Sequence, residues 1–253
     1  MMVKEKNIER SFRILPQLFR LRDDALAVQI GTTLAGLVIT VMVVHIVTYF
    51  IYTITGNPDG LARKIFSFVN LGRDNSFSES LSHGMLFISA VLFLGVSYET
   101  RARTPVVLSA FFGFAWFDDS AQYHERIGGL IAKSLKISSS FGLRSQDFGE
   151  ILAWGLAAVI LVLLAIWAYK GKRHGDRQVF LLIYKPVILL MLCGVIFDML
   201  HIFINVPGSD IVFTVLEDGG EMISIAAATA VSVAVLRNSQ KIYRISSNYV
   251  STF

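Results

Sequence analysis

Six stretches of about 20 or more predominantly apolar residues occupy this chain. Such a stretch makes a helix some 30 Å long without a polar face, which suits a lipid bilayer better than a small soluble core. They run 26–54, 80–99, 104–126, 148–169, 180–205 and 210–236. The expected fold class is therefore all-α: a polytopic integral membrane protein built as a six-transmembrane-helix bundle. The composition agrees, with 54% hydrophobic and 17% charged residues. The first stretch is too long, and too far from residue 1, for a cleavable signal peptide, and no small-residue cleavage site follows it. The expected organisation is a 1–25 N-terminal segment, a 26–236 transmembrane domain and a 237–253 tail, with no soluble domain.

Lys and Arg in the connections set the expected orientation. Lys4, Lys6, Arg10, Arg13, Arg20, Arg22, Arg101, Arg103, Lys170, Lys172, Arg173, Arg177, Arg237, Lys241 and Arg244 fall on one side. The other side holds Arg63, Lys64, Arg73, Arg126, Lys133, Lys136 and Arg144. Both termini are thus expected to be cytoplasmic, in a plasma (cytoplasmic) membrane. The net charge of +4 is read as this topology signal, and no nucleic acid partner is expected. Cys193 is the lone cysteine, so no disulfide forms within the chain. No internal repeat or low-complexity segment is evident.

The polar residues inside the apolar stretches are distributed unevenly. His45, His83, His124 and His201 are four of the five histidines. With them go Asp118, Asp119, Glu125, Glu150, Asp198, Glu217, Asp218 and Glu221. Alternating span directions place all of them toward the outer side. Ionisable groups at membrane depth are costly and are usually kept for function. Helical spacing groups them further. Asp118, Gln122 and Glu125 are expected to form one stripe on the third span, flanked by Asp119 and His124. Asp198 and His201 are i, i+3 on the fifth. Glu217 and Glu221 are i, i+4 on the sixth, with Asp218 i, i+3 to Glu221. Gly219 and Gly220 thin that helix for a close neighbour, and Ser224 with Ala226, Ala227 and Ala228 continues a small-residue packing face.

Carboxylates crowded together repel unless protonated or neutralised by cations. Basic side chains are scarce at this depth, so a bound divalent metal is the expected source of positive charge. Imidazole plus carboxylate without thiolate suits zinc or iron. The expected ligands are Asp118, His124, Asp198, His201, Glu217 and Glu221. Asp119 and Glu125 are the expected acid/base groups. Asp198-x-x-His201 has the spacing of a di-iron bundle, but only one such pair is present, so a single zinc is equally compatible. His45 also fits a plain helix-to-helix hydrogen bond. His83 and Glu150 lie in first turns, where facing water or head groups explains them as well. Their membership in the site stays open.

Other features are ordinary. Phe12, Leu15 and Phe19 with Arg13 and Arg20 read as an amphipathic helix on the cytoplasmic surface. Trp167, Tyr169 and Tyr184 form an inner aromatic belt, and Tyr49, Tyr52 and Trp154 an outer one. The segment 127–147 reads as a lid or an interfacial loop, and 55–79 is similar. Pro186 and Pro207 are placed at or near helix ends. The string Asp118-Asp119-x4-His124-Glu125, with Glu217-Asp218-x-x-Glu221-Met222, resembles a pattern in uncharacterised bacterial multipass proteins, a resemblance that transfers no activity. Intramembrane zinc hydrolases of the alkaline ceramidase and adipokine-receptor type use a seventh helix with paired histidines, and this last helix has none. Microbial rhodopsins need a lysine in the last helix, and 210–236 has none.

Three functions are compatible with this reading. The first is an intramembrane metal-dependent hydrolase or oxidase acting on a lipid or small apolar substrate. The second is a proton- or cation-coupled transporter, against which the inner halves are apolar between Lys185, Glu99 and the cluster. The third is an accessory subunit of a larger membrane complex, with pigment or haem on its histidines. Membrane lipids are the expected partners. Oligomeric state is not readable from the sequence.

Overall fold

The computed structural model describes residues 20–57, 59–140, 143–204, 206 and 208–244. The side chains of His174, Asp198, Ile202, Phe203 and Arg244 lie outside the described set, as do the expected surface helix over 12–19 and Pro207. The described elements are helices in this order: α1 Ala25–Thr55, α2 Leu61–Val69, α3 Phe77–Thr100, α4 Thr104–Ala121, α5 Tyr123–Ser134, α6 Ser145–Lys170, α7 His174–Met191, α8 Asp198–Phe203, α9 Ser209–Thr214, α10 Gly220–Arg237 and α11 Ser239–Arg244. Polar side chains cap the starts of α1 and α3, and left-handed residues end α1, α3 and α4. The Asp24 carboxylate accepts from the Ala27 amide, and Gly56 at φ 59° closes α1.

Five helical stretches are long and apolar enough to cross a membrane: Ala25–Thr55, Phe77–Thr100, Ser145–Lys170, Gly175–His201 and Ser209–Arg237. They coincide with five of the six expected spans. The expected 104–126 helix is not continuous. It ends at Ala121, Gln122 turns left-handed at φ 51°, and α5 departs in a new direction. The break falls where polar side chains offer the backbone other partners. The Asp118 carboxylate accepts from the His124 amide at 3.0 Å, and the Gln122 amide donates to Asp74 at 2.8 Å. The Asp118–Gln122–Glu125 stripe therefore does not form as one helical face. The expected loop 127–147 begins with the second part of α5, and 55–79 contains α2.

Pro186 also departs from expectation, since it lies inside α7. A proline there offers no N–H to the carbonyl four residues back and loosens that part of the helix. Beyond it the ladder widens into a π segment, Leu192–Phe197, that packs against a second one, Val215–Gly219. Such π turns recur at functional sites.

Helix α10 is the hub and packs against α1, α3 and α7. Its small residues make this feasible, because backbones approach where side chains are short. A Cβ on Gly31 of α1 would come within 2.9 Å of the Ala230 Cβ. Ser89 and Thr229 share a buried hydrogen bond at 3.0 Å between α3 and α10. Phe93 and Phe112 stack at 5.8 Å between α3 and α4. Outward faces are apolar: Ile39, Val43 and Phe50 on α1 and Leu156, Val159 and Leu163 on α6 are each more than half exposed. Surfaces of this kind suit lipid and fit a membrane-embedded protein.

One end of the bundle is tied by polar contacts. Arg237 and Asn238 both donate to the Asp24 carboxylate, at 3.1 and 2.8 Å. Ser239 donates to Glu99, Tyr243 to Asp176, and Arg173 to the Thr100 carbonyl. We call this the clasp end. Burial pushes the Asp24 pKa up, but the Ala27 amide, Asn238 and Arg237 outweigh it and hold the pKa below its ordinary 3.8. A carboxylate depressed in the folded state stabilises above its unfolded pKa, and that stability is lost as pH falls through the folded value. Asp24→Ala is expected to cost about 1–2 kcal/mol at pH 7, from a lost cap and a lost ion pair. Denaturant titration in detergent should show the deficit shrinking as pH drops below about 4. An equal deficit at pH 7 and pH 3 would assign the effect to packing alone.

Candidate metal centre

At the opposite end, among the described residues, one group of three places His and carboxylate ligand atoms within 4.8 Å of one another: Glu79, His83 and Asp119. Ser76 caps α3 by accepting from the Glu79 amide at 3.1 Å, and the Glu79 carboxylate reaches back to the Asn75 amide. Four residues on, His83 lies on the same face. Asp119 comes across from the last turn of α4. The His83 Nε2 atom is 2.8 Å from Asp119 Oδ2 and 3.8 Å from Glu79 Oε1. It is nevertheless aligned in a hydrogen bond with neither, among the described residues. Its 2.8 Å approach to Asp119 is an ion-pair distance, and the three ligand atoms lie close enough together to share one cation. The side chains of Glu79 and His83 are one-fifth exposed and that of Asp119 half exposed, so the group opens at Asp119.

Sequence reasoning left Glu79 out because the second span was started at residue 80. The signal was present: Ser76-x-x-Glu79 is a capping pattern, and Glu79 to His83 is i, i+4. His83 had been left open, and Asp119 had been expected as an acid/base group.

The neighbouring Asp118 faces the other way. Its Oδ2 is 2.9 Å from His124 Nδ1, and His124 lies 5.9 Å from the Trp154 ring on α6. Helices α5 and α6 meet at glycines: a Cβ on Gly128 would come within 2.6 Å of the Glu150 amide nitrogen. The Asp118 carboxylate, accepting from the His124 ring, raises the His124 pKa against the opposing effect of burial, with Glu150 and Glu125 adding to the rise. Glu150 accepts from Gln146 at 2.8 Å, and Glu125 is exposed.

A third group joins α8 to the second π segment. The His201 Nδ1 is 3.2 Å from Glu217 Oε2, its Nε2 is 3.7 Å from Asp210, and its ring stacks on Phe213 at 5.4 Å. The Asp198 side chain lies outside the described residues, so its pairing with His201 is not seen. The Glu221 carboxylate lies against Gly194, and that of Asp218 against Gly72, where a Cβ would come within 3.0 Å. Gly219 and Gly220 do admit close neighbours, but these are the Met42 and Cys193 side chains. The six expected ligands therefore lie in two described His–carboxylate pairs, plus Glu221 and Asp198. His45 is 1% exposed and stacks on Phe66 at 5.0 Å. Among the described residues neither of its nitrogens has a hydrogen-bond partner, so the expected helix-to-helix bond is not seen.

A family profile described as a domain of unknown function (DUF8692) matches residues 34–235. No curated protein and no solved structure matches the chain.

Proposed function

Since the chain belongs to the DUF8692 family, a domain of unknown function that brings no activity with it, we propose from its own residues that it is a membrane protein carrying one catalytic divalent metal. Glu79, His83 and Asp119 hold the ion, with a further coordination position open on the exposed Asp119 side. The convergence of one imidazole nitrogen and two carboxylates within 4.8 Å of one another supports this reading. Three protein ligands and one open position is the pattern of catalytic rather than structural sites. One nitrogen and two oxygens suit zinc or iron. With zinc the chemistry is hydrolysis by a metal-activated water, and with iron it is oxidation. Asp118 orients the His124 imidazole as a carboxylate orients a general base, and this dyad begins one residue before Asp119. We assign it the proton-transfer role.

The substrate is a lipid or small apolar molecule entering at this end from the bilayer. The basic 101–103 and 170–177 connections and the C-terminal tail support an orientation with the clasp end cytoplasmic. In that arrangement α4 is a sixth crossing, and the membrane is the plasma membrane. A transporter reading is disfavoured because the mid-bundle contacts are the Phe93–Phe112 stack and the small-residue packing of α10.

Elemental analysis of detergent-purified protein tests this. About one zinc or iron per chain is expected, lost in His83→Ala/Asp119→Ala and kept in His201→Ala/Glu217→Ala. Metal lost only in the second double variant would move the centre to the His201 group. Metal in none of the samples would remove the enzyme reading.

A further inference from the structure

The site end carries few basic residues, yet three of them converge. A cavity of about 520 Å³ is lined by Arg63, Lys64, Ser67, Phe68, Arg73, Asp74 and Asn75. That size is within the range of small-ligand pockets, about 300–1,000 Å³. It is formed between α2 and the turn leading into α3.

One of the three cations is held in place. Arg63 donates to the Tyr52 hydroxyl at 2.9 Å and lies over that ring at 5.2 Å from its centroid. Both contacts fix the guanidinium and leave further N–H donors for a ligand. The turn bearing Arg73 is shaped by Asn75 at φ 59°, a conformation asparagine tolerates. The pocket's acid, Asp74, accepts from Gln122 and is partly occupied by that bond. Arg63, Lys64 and Arg73 against Asp74 leave a net positive cavity, with the Ser67 hydroxyl and Asn75 amide as neutral groups. On the same helix Leu61 and Phe68 are 72% and 62% exposed. Cations beside apolar surface suit an anionic head on an apolar body.

The pocket also adjoins the candidate metal centre. Asn75 lines the cavity, and its backbone amide donates to the Glu79 carboxylate. Asp74 is bonded to Gln122, three residues after Asp119. Arg73 precedes Glu79 by six residues.

We propose that this pocket is a binding site for a phosphate-bearing anion. Its use as the substrate subsite, which would make the substrate a phosphate ester, rests on the metal-centre reading. The anion site itself does not.

The test is calorimetric titration of the full chain in neutral detergent with EDTA present, so that no metal contributes. The probes are a short-chain phosphatidic acid, sn-glycerol 3-phosphate, and a short-chain phosphatidylcholine. Phosphatidic acid is expected to bind, more weakly as salt rises. Arg63→Gln/Lys64→Gln/Arg73→Gln should weaken it at least tenfold, and the control Lys133→Gln/Lys136→Gln, outside the pocket, should leave it unchanged. If the triple variant is misfolded, the single reversal Lys64→Glu on an exposed side chain carries the test with the same expectation. Glycerol phosphate binding as tightly would assign the site to a free phosphate ester, and its failure to bind would assign it to a lipid head group. The proposal is overturned if phosphatidylcholine binds equally well, or if neutralising the three cations changes nothing. A separate zinc titration of the wild-type chain keeps the two readings apart. Anion binding without zinc binding leaves this site standing and removes the metal centre.

Discussion

His83→Ala is expected to weaken zinc affinity by about a hundredfold or more, which is about 2.7 kcal/mol. Loss of a group that only supports a metal ligand already costs about 10–100-fold. His83 is the single nitrogen in the group, and its removal leaves two carboxylates to bind alone. His124→Ala is the matched control: its ring bonds Asp118, outside the group, so affinity should stay within about threefold. Glu79→Gln separates binding from folding. It keeps an oxygen for the Asn75 amide, and so keeps the cap on α3, while removing a charge from the ion. A competition titration with a zinc chelator measures all three. Wild-type affinity in His83→Ala would end the case for a centre at this position.

Legibility followed from how local each determinant was. The five long apolar helices were readable because length and hydropathy suffice. The gathering of particular ligands was not. Helical spacing predicted an Asp118–Gln122–Glu125 face, but Gln122 turns left-handed and the chain folds back onto Asp118. That break is a contest between side-chain and backbone hydrogen bonds, which periodicity does not weigh. Pro186 similarly sits within a helix because surrounding packing tolerates one missing bond. Glu79 was hidden by a boundary placed three residues late, the kind of error helix ends invite. The π segments have no simple sequence signature. They change which faces Cys193, Glu217 and Asp218 present, beyond the reach of a uniform 3.6-residue spacing.

The second large effect concerns two adjacent glycines with opposite expectations. Gly128→Val should destabilise the protein by about 3 kcal/mol, because added atoms in a closed interface cannot be accommodated without moving backbone. A Cβ at Gly128 meets the nitrogen, Cα and Cγ of Glu150 at 2.6–2.8 Å. Across the contact, a Cβ on Gly149 would run into the Gly128 carbonyl, so neither helix can yield alone. Gly129, one residue on, has nothing within 4 Å of its Cβ position. Gly129→Ala should therefore be neutral or stabilising by up to about 1 kcal/mol, the ordinary helix preference for alanine. Thermal unfolding in detergent reads both, and comparable effects at the two positions would mean that α5 does not pack on α6 as described. The consequence reaches the proposed proton-transfer dyad. Helix α5 carries His124, and its seat on α6 keeps that ring near Trp154 while the Gln122 turn returns it to Asp118. Prising α5 away in Gly128→Val should lower turnover while the zinc affinity of Glu79, His83 and Asp119 persists, because those ligands sit on α3 and α4.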